Sequence, residues 1–529
     1  MLSKFAYLVV AQLGVAAASV SGSKPCTSET FFSLDLSNIK ISSVDVTSKH
    51  VAWPSTSDLT NSYGITKNGT VSVCQLTVNY THPGWKDKVT TWITLPMDSW
   101  NERFTGMGGG GYTTGKLVHN SQAAFEGFAS VSTDGGHGAS ATTESWALAS
   151  EGNVNWPNLN DFASVALDDA ASLGKAATKI FYGRPAKYSY WNGCSTGGRQ
   201  GHMMAQRYPT QYDGILAGAP AINWDKFIPA EYWPQVMMKE LEHYPSSCEM
   251  NALTQSAVDA CDELDGVKDG IISMEGLCRF DPLTVVGKTV KCTSPDGIIK
   301  ISKKAAQIAA AIWSGAKASD GSALWYGLPY GSPLIYLGGT NCTSLTDCKS
   351  LPFSISSQWV QLFLEKNSTF DISTVGYEQF DNLFRQSVNE YASAIGTRDT
   401  DLTRFKEAGG KMISWHGMKD QLIFFNGTEH YYRQVLERDP KAYDFYRFFP
   451  APGVEHCSGG PGWYPGESMK ALMDWVENGV APETLNAVAT PSATGGAQPP
   501  LRTAGLCPWP KVMTFVGGNS NKASSFVCK

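Results

Sequence analysis

Strand-like and helix-like segments alternate along this chain, and glycine-rich turns join them. Residues Tyr188–Trp191 have strand character and run into the turn Asn192–Gly198, which a helix-like stretch follows at Gln200–Tyr208. Gly214–Ala217 has the character of the next strand. Strands that alternate with helices indicate a mainly parallel sheet, because each parallel connection has to cross back over the sheet. The sequence therefore predicts an α/β fold.

The same pattern extends to both sides of this segment. Further strands are predicted at Thr90–Pro96, Phe104–Met107, Phe128–Thr133, Lys411–Trp415 and Tyr443–Phe449, and further helices at 161–180 and 429–436. The alternation stops between residues 225 and 396, where six of the 12 cysteines lie. We therefore expect an α/β domain formed by residues 21–224 and 397–529, with residues 225–396 inserted as a separately folded unit.

Composition excludes several classes of protein. The chain has 529 residues, of which 42% are hydrophobic and 17% charged, so it can bury a large core and is not of disordered type. The formal net charge is −6. We expect no nucleic-acid partner and no membrane partner, because binding to either polyanionic surface needs clustered basic charge.

The N-terminus has the pattern of a secretory signal peptide. Lys4 precedes the apolar stretch Phe5–Ala18, and small residues follow it up to Gly22. The apolar run is shorter than the roughly 20 residues that a membrane-spanning helix needs. We therefore expect residues 1–20 to be a signal peptide and the mature protein to be secreted and extracellular.

Two further features agree with secretion. The 12 cysteines form an even number, which in an oxidising compartment predicts up to six disulfides. Asn-X-Ser/Thr sequons, which are candidate surface glycan sites, occur at Asn68, Asn79, Asn341, Asn367 and Asn426.

Gly193-Cys194-Ser195-Thr196-Gly197 matches the G-x-S-x-G pattern of a nucleophile elbow. Small neighbours are needed there because the strand, the sharp turn and the following helix pack closely. A serine nucleophile also needs hydrogen-bond donors for the oxyanion of its tetrahedral intermediate. We expect these donors to be the backbone N–H of Thr196 and one from Gly108–Gly111, for which we choose Gly110 ahead of Gly111.

A serine nucleophile needs an imidazole base and a carboxylate that orients the base, and in α/β-hydrolases the acid and then the base follow the serine along the chain. His456 follows the last clear strand, and Asp420 follows the strand at Lys411–Trp415, so we choose these two. The alternatives considered are His243, His416 and His430 for the base, and Asp401, Asp439 and Asp444 for the acid.

Cys194-Ser195, Asp420 and His456-Cys457 together resemble the CS–D–HC pattern of the fungal tannase/feruloyl esterase family. The resemblance covers essentially the whole mature chain, including Gly108–Gly111 and the insertion. It implies an α/β-hydrolase fold with a large inserted lid domain above the active site. It also implies a disulfide between Cys194 and Cys457.

The insertion contains an acidic, glycine-containing segment at 262–271. Oxygen ligands at short intervals suit Ca²⁺, although the spacing is not that of an EF-hand and a solvated acidic turn is the alternative. In the family that the chain resembles, similar loops bind a structural Ca²⁺. By that resemblance, the ligands are the carboxylates of Asp262, Asp265 and Asp269 and the backbone carbonyls of Val267 and Ile271.

The resemblance implies a secreted serine carboxylesterase whose substrates are feruloyl (hydroxycinnamoyl) esters on plant cell-wall polysaccharides. A tannase, which cleaves galloyl esters, is the alternative within the family, and a non-catalytic hydrolase-fold binding protein is the alternative outside it. Four insertion aromatics are candidates for stacking on the phenolic ring, although most such residues belong to a core. They are Trp233, Trp325, Tyr326 and Trp359.

Overall fold

The structure is a computed structural model and describes residues 23–53, 69–138, 142–489 and 502–529. In these ranges, nine strands form one central sheet. They are β1 (Lys40–Trp53), β2 (Gly69–Thr81), β3 (Val89–Pro96), β4 (Arg103–Met107), β5 (Ala129–Thr133), β6 (Tyr188–Cys194), β7 (Gly214–Gly218), β8 (Lys411–Gly417) and β9 (Tyr446–Ala451). The predicted signal peptide, residues 1–20, and the sequon at Asn68 lie outside the described residues.

The strand order in this sheet is β1-β2-β3-β5-β4-β6-β7-β8-β9. The pairs β1-β2, β2-β3 and β3-β5 are antiparallel, and all pairs from β5 to β9 are parallel. The prediction of a mainly parallel sheet is therefore confirmed. Because β4, β6, β8 and β9 run in the same direction, their carboxyl ends lie along one edge of the sheet.

Helices cover both faces of the sheet. Those outside the β7–β8 connection are α1 (Leu117–Phe125), α2 (Trp156–Ala163), α3 (Val165–Tyr182), α4 (Thr196–Arg207), α12 (Phe425–Arg438) and α13 (Ser468–Asn478). Trp191 and Ile215 belong to the hydrophobic cluster that α3, α4 and α12 also form. Tyr190 and Leu216 belong to the cluster under α1 and α13. Neighbouring strand residues thus bury opposite faces, as the pleat requires.

The chain between β7 and β8 contains the predicted insertion, 225–396. Its helices are α5 (Trp224–Ala230), α6 (Trp233–Glu240), α7 (Ser247–Cys261), α8 (Lys303–Ser314), α9 (Ser354–Gln358), α10 (Tyr377–Ile395) and α11 (Thr403–Glu407), with a π-helical turn at Trp359–Leu364. Most of its apolar residues belong to one buried cluster. Three disulfides link the six cysteines of this stretch to one another: Cys248–Cys292, Cys261–Cys278 and Cys342–Cys348.

Short two-stranded hairpins complete the described secondary structure. They pair Leu148–Ser150 with Asn153–Val154, Thr289–Thr293 with Asp296–Lys300, Thr340–Cys342 with Cys348–Ser350, Leu485–Ala489 with Arg502–Leu506, and Met513–Phe515 with Phe526–Cys528. All 12 cysteines lie in the described ranges and form six disulfides, as the even count predicts. A search of the described helices finds none with the length and apolar character needed to cross a bilayer.

The structure corrects two predicted elements and adds two strands to the sheet. The single helix predicted at 161–180 is two helices, because Ser164 between them has φ −163° and ψ −36°, which is not helical. The strand predicted at 443–449 begins only at Tyr446, since Ala442–Asp444 forms a 3₁₀ turn. The long strand β1, at the edge of the sheet, and β2 beside it were not predicted.

His82 connects the antiparallel part of the sheet to α3. Its Nδ1 is 2.6 Å from Asp87 Oδ2 and its Nε2 is 2.8 Å from Asp169 Oδ2. Although burial lowers the pKa of His82, the hydrogen bonds to Asp169 and Asp87 raise it to about 9. Burial raises the pKa of the adjacent Asp161 to about 8. At neutral pH this group is therefore an imidazolium between two carboxylates, with Asp161 as a neutral acid.

This arrangement predicts a specific pH dependence of stability. The pKa of His82 is raised from its ordinary value of 6.5 to about 9 in the folded state, so its stabilising contribution is complete below pH 6.5 and is lost as the pH rises through 9. At pH 6, we expect His82→Gln to lower the free energy of unfolding by about 3 kcal/mol. The difference from the wild type should shrink by pH 9.5.

Urea denaturation between pH 6 and 9.5 measures this difference. His50→Gln is the control, because His50 is an exposed histidine on β1. A difference between His82→Gln and the wild type that stayed constant over this pH range would contradict the assignment of a charged His82.

Candidate active site

Ser195 lies at the turn between β6 and α4. Its backbone has φ 64° and ψ −125°, a region that costs a non-glycine residue about 1–3 kcal/mol. The Ser195 N–H donates to the carbonyl of Gly218 at 3.0 Å, which ties the turn to β7. A Cβ atom at Gly193 would lie 2.6 Å from the backbone of Gly197, so the strand and the helix can approach this closely only with glycine there. The motif thus has the strand–turn–helix context of a nucleophile elbow.

The side chains of Ser195, His456 and Asp420 form one chain of hydrogen bonds. His456 Nε2 is 2.9 Å from Ser195 Oγ, and His456 Nδ1 is 2.8 Å from Asp420 Oδ2. Since an ionised carboxylate can only accept, Nδ1 carries the proton and Nε2 can accept the proton of the serine hydroxyl. The three residues follow the carboxyl ends of β6, β9 and β8, which is why residues so distant in sequence meet.

Asp420 is completely buried and is held in its ionised form by several donors. Its Oδ1 accepts hydrogen bonds from the backbone N–H groups of Leu422 and Ile423, at 2.8 and 2.9 Å. Burial alone would raise the pKa of Asp420, but the charge of His456 and the hydrogen bonds from His416 and His456 together lower it below its ordinary range. The carboxylate therefore stays charged at every pH at which the protein would work.

His416 is a second histidine bound to the same carboxylate. Its Nε2 lies 3.1 Å from Asp420 Oδ2 and 3.2 Å from the Ile423 carbonyl, so Nε2 carries a proton and donates it. Its Nδ1 is 2.9 Å from the Thr428 hydroxyl. In the sequence His416 is only an alternative base, whereas the structure makes it a residue that positions Asp420.

The loop that carries His456 is fixed at two points. The backbone N–H of His456 donates to Gln421 Oε1 at 3.0 Å. Cys457, the next residue, forms a disulfide with Cys194, with their Cα atoms 5.9 Å apart. The expected disulfide is therefore present, and it joins the residue before Ser195 to the residue after His456.

The glycine run after β4 lies beside Ser195, but Gly110 is engaged elsewhere. Its N–H donates to the carbonyl of Thr113 at 3.1 Å, so the choice of Gly110 as an oxyanion donor does not fit the geometry. Gly111 of the same glycine run is then the remaining candidate donor. It lines the cavity at Ser195, and its carbonyl accepts a 2.6 Å hydrogen bond from the Thr196 hydroxyl. This bond holds the two candidate donor residues, Thr196 and Gly111, next to each other.

A cavity of about 360 Å³ opens at Ser195 and His456. Its walls are mostly apolar. The apolar side chains that line it are Trp224, Phe227, Ile228, Phe353, Ile355, Leu422 and Ile423. Glu231 also lines it. Its composition suits a flat, mainly apolar acyl group with a reactive carbonyl at the serine end.

None of the four insertion aromatics chosen for stacking is among the residues that line this cavity. Trp233, Trp325 and Trp359 are buried in the core of the insertion, and Tyr326 packs against that core. The Trp359 ring stacks on Phe363 and its indole N–H donates to Ser387. The alternative that these aromatics are core residues is therefore the correct one.

A family model described as tannase and feruloyl esterase matches residues 74–529 of this chain. The chain belongs to the tannase and feruloyl esterase family. The resemblance drawn from the CS–D–HC pattern is thereby confirmed.

Individual relatives agree with this assignment. A probable feruloyl esterase of Arthroderma benhamiae is 41% identical over 470 residues, which are 87% of this chain and 86% of the relative. A tannase of Aspergillus oryzae is 29% identical over 518 residues, with the same coverage of each chain. The solved structure of a tannin acyl hydrolase from Aspergillus niger has a TM-score of 0.84 at 28% identity and covers 95% of both chains. The predicted α/β-hydrolase fold is confirmed.

The acidic segment predicted to bind Ca²⁺ follows α7. Asp262 is buried, and its carboxylate accepts hydrogen bonds from the backbone N–H groups of Asp269, Gly270 and Ile271. Asp269 forms an ion pair with Arg502. Burial raises the pKa of Asp269 to about 6 and also raises that of Asp265, and negative neighbours in the same segment add to both shifts.

The charge and donor chemistry of this segment suit a divalent cation, and the carboxylate oxygens of Asp262, Asp265 and Asp269 are not all within 4.8 Å of one another in this structure. Of the four carboxylates in the segment, Glu263 pairs with Lys268 and Asp269 pairs with Arg502, so the ionised group carries an excess of two negative charges. The carboxylate and carbonyl oxygens present there are the ligands that Ca²⁺ prefers. The segment also contacts the loop of His456, because Ile271 packs against Gly453.

The disulfide between Cys194 and Cys457 should matter more for turnover than for folding. We expect replacement of both cysteines by Ala to leave a folded protein whose kcat falls by about a hundredfold, since a displacement of about 1 Å between base and nucleophile has an effect of this size. The loss of stability should not exceed about 5 kcal/mol. Ester hydrolysis and thermal unfolding measure the two effects.

The matched control replaces Cys26 and Cys74, which also close a long loop and join the segment before β1 to β2, outside the site. This control should lose stability and keep its kcat. Equal losses of kcat in the two double variants would contradict a positioning role for the Cys194–Cys457 bridge.

Proposed function

We propose that this protein is a secreted serine carboxylesterase that hydrolyses feruloyl and related hydroxycinnamoyl esters of plant cell-wall polysaccharides. The observation that carries the proposal is the hydrogen-bonded chain Ser195–His456–Asp420 at the mouth of an apolar cavity. The 41% identity to a probable feruloyl esterase favours hydroxycinnamoyl esters among the substrates of the family.

In the proposed reaction, Ser195 Oγ attacks the ester carbonyl carbon while His456 Nε2 takes the hydroxyl proton. The oxyanion that forms accepts hydrogen bonds from the backbone N–H groups of Thr196 and Gly111. Collapse of this intermediate breaks the bond to the alcohol, which leaves with the proton from His456. Water then attacks the acyl-enzyme in the same way, and the carboxylic acid is released. Asp420 stabilises the imidazolium throughout.

A tannase activity is the second candidate, because a tannase and a tannin acyl hydrolase also match most of the chain. One feature of the sequence favours the feruloyl esterase. Some tannases of the family are longer and are processed at a dibasic site, whereas Lys303-Lys304 is the one obvious basic pair here. A non-catalytic binding protein is disfavoured, since the nucleophile, base and acid are all present and hydrogen-bonded.

The proposal includes a structural Ca²⁺ held by Asp262, Asp265 and Asp269 and by the carbonyls of Val267 and Ile271. When bound, the ion supplies charge neutralisation in a partly buried acidic segment and takes no part in ester cleavage. Secretion is supported by the six disulfides and by the leader-like N-terminus. Of the sequons in the described residues, only Asn341 is exposed, and it is the best candidate for a glycan.

Replacing the nucleophile tests the reaction directly. We expect Ser195→Ala to fold normally and to lose kcat on methyl ferulate by about 10⁴-fold or more, because the attacking atom is removed with little change in volume. Circular dichroism checks the fold and release of ferulic acid checks the activity. Normal hydrolysis by this variant would overturn the assignment of Ser195.

A substrate series separates the feruloyl esterase from the tannase. We expect kcat/KM on the methyl esters of ferulate, caffeate, p-coumarate and sinapate to exceed that on methyl gallate, because hydroxycinnamoyl groups are the proposed acyl donors. Initial rates at equal ester concentrations give these ratios. A preference for gallate would replace the first proposal by the second, and hydrolysis of none of the five would favour the binding protein.

Chelation tests the calcium site. Removal of Ca²⁺ should lower the melting temperature, because ligand at a hundredfold excess over its Kd stabilises the native state by about 2.7 kcal/mol. Differential scanning calorimetry with EDTA and with added Ca²⁺ measures the shift. Asp262→Asn should show no response to either addition, while Asp259→Asn, an exposed aspartate in the same region, should respond as the wild type does. An identical melting temperature of metal-free and calcium-loaded wild type would exclude the site.

A further inference from the structure

Glu231 is a buried carboxyl group in the cavity that contains Ser195 and His456. It follows α5, and its side chain reaches a pocket whose other walls are mostly apolar. Only 2% of the residue is exposed. The triad does not use this group, and nothing in ester cleavage at Ser195 requires it.

The carboxyl group of Glu231 has an unmet hydrogen-bonding capacity. Its Oε2 atom is buried and has no hydrogen-bond partner among the described residues. Burying a polar atom without a partner costs about 1–3 kcal/mol, so such an atom in a ligand cavity indicates that a ligand supplies the partner.

Glu231 is a neutral acid in this position. Burial raises its pKa well above the ordinary value, and the negative charge of Asp420 raises it further. A protonated carboxyl group can donate one hydrogen bond and accept another. It therefore matches a hydroxyl group, which also donates and accepts, and not a cationic or anionic substituent.

We propose that Glu231 forms a binding subsite for the acyl group, in which its carboxyl group hydrogen-bonds a hydroxyl on the phenolic ring. This rests on the proposed esterase function, because the acyl group enters the cavity when its carbonyl carbon lies at Ser195. The apolar side chains around Glu231 cover the ring and the propenoyl chain. The ligand class is thus aromatic acyl groups with a free ring hydroxyl.

The test compares esters that differ only in that hydroxyl. We expect wild-type kcat/KM on methyl p-coumarate to exceed that on methyl cinnamate and on methyl 4-methoxycinnamate by about tenfold to a hundredfold, the size of a lost hydrogen bond in a buried site. Glu231→Leu should bring the ratio close to one, mainly by a loss on p-coumarate. Glu231→Gln, which keeps a neutral donor and acceptor, should retain most of the preference.

Glu378→Leu is the matched control, because Glu378 is exposed on α10 of the same insertion. It should keep the wild-type ratio. If Glu231→Leu kept the wild-type ratio of kcat/KM between p-coumarate and the other two esters, the proposal would be overturned. An equal loss of kcat/KM on all three esters would also overturn it, because a merely structural residue would produce that result. Should Glu231→Leu fail to fold, absence of discrimination by the wild type between the three esters would overturn the proposal by itself.

A binding measurement separates failure of this subsite from failure of the esterase function. Calorimetric titration of Ser195→Ala with p-coumaric and cinnamic acids needs no turnover. We expect the phenolic acid to bind at least tenfold more tightly. Tighter binding of p-coumaric acid in a wild-type protein that hydrolyses no ester would reject the esterase and keep the subsite. Hydrolysis of methyl p-coumarate and methyl cinnamate, with equal binding of both acids, would reject the subsite and keep the esterase.

Discussion

The buried carboxylate of Asp420 accepts hydrogen bonds from two histidine rings and two backbone N–H groups. A charge in a site with no solvent contact is stable only with such donors around it. The bond to His456 fixes its tautomer, so that Nε2 faces Ser195 as an acceptor. The same negative charge acts on the cavity, where it helps to keep Glu231 neutral. One ionised group thus orients the base and adds to the effect of burial on the proposed acyl-binding residue.

The elements around Asp420 restrict the motion of the other two triad residues, Ser195 and His456. On the serine side, Ser195 is held in a strained backbone conformation by close packing of Gly193 against Gly197. On the histidine side, Gln421 binds the backbone of His456. The Cys194–Cys457 disulfide then joins the two sides covalently. The triad is therefore positioned by backbone contacts and one covalent bond, with little dependence on exposed loops.

The insertion supplies much of the cavity wall and none of the three triad residues. Phe227, Ile228 and Glu231 come from α5 and its end, and Phe353 and Ile355 come from the start of α9. α5 and the start of α9 pack in the same large apolar cluster, which also includes side chains of α2. Acyl preference in such an arrangement can change through α5 and α9 while the strand ends that carry the triad stay fixed.

Local features of the sequence determined those parts of the fold and of the site that depend only on residues close together along the chain. The strand, the Gly193–Gly197 turn and the helix are encoded within about 20 residues, and the chain order of acid and base then indicated Asp420 and His456. The packing of the insertion was different. Whether Trp359 lies in a core or against a ligand depends on residues such as Phe363 and Ser387, and no spacing along the chain reports those contacts.

Only the tertiary structure could decide which polar groups already have partners. The N–H of Gly110 binds the Thr113 carbonyl, which leaves Gly111 as the proposed oxyanion donor, although the two glycines are equivalent in sequence. In the sequence, His416 is only an alternative base and Glu231 gives no signal of a role, because a histidine in a strand and a glutamate at a helix end usually serve stability or solubility. Their roles arise from burial and from what lies within about 3 Å of their polar atoms, and these are properties of the folded chain.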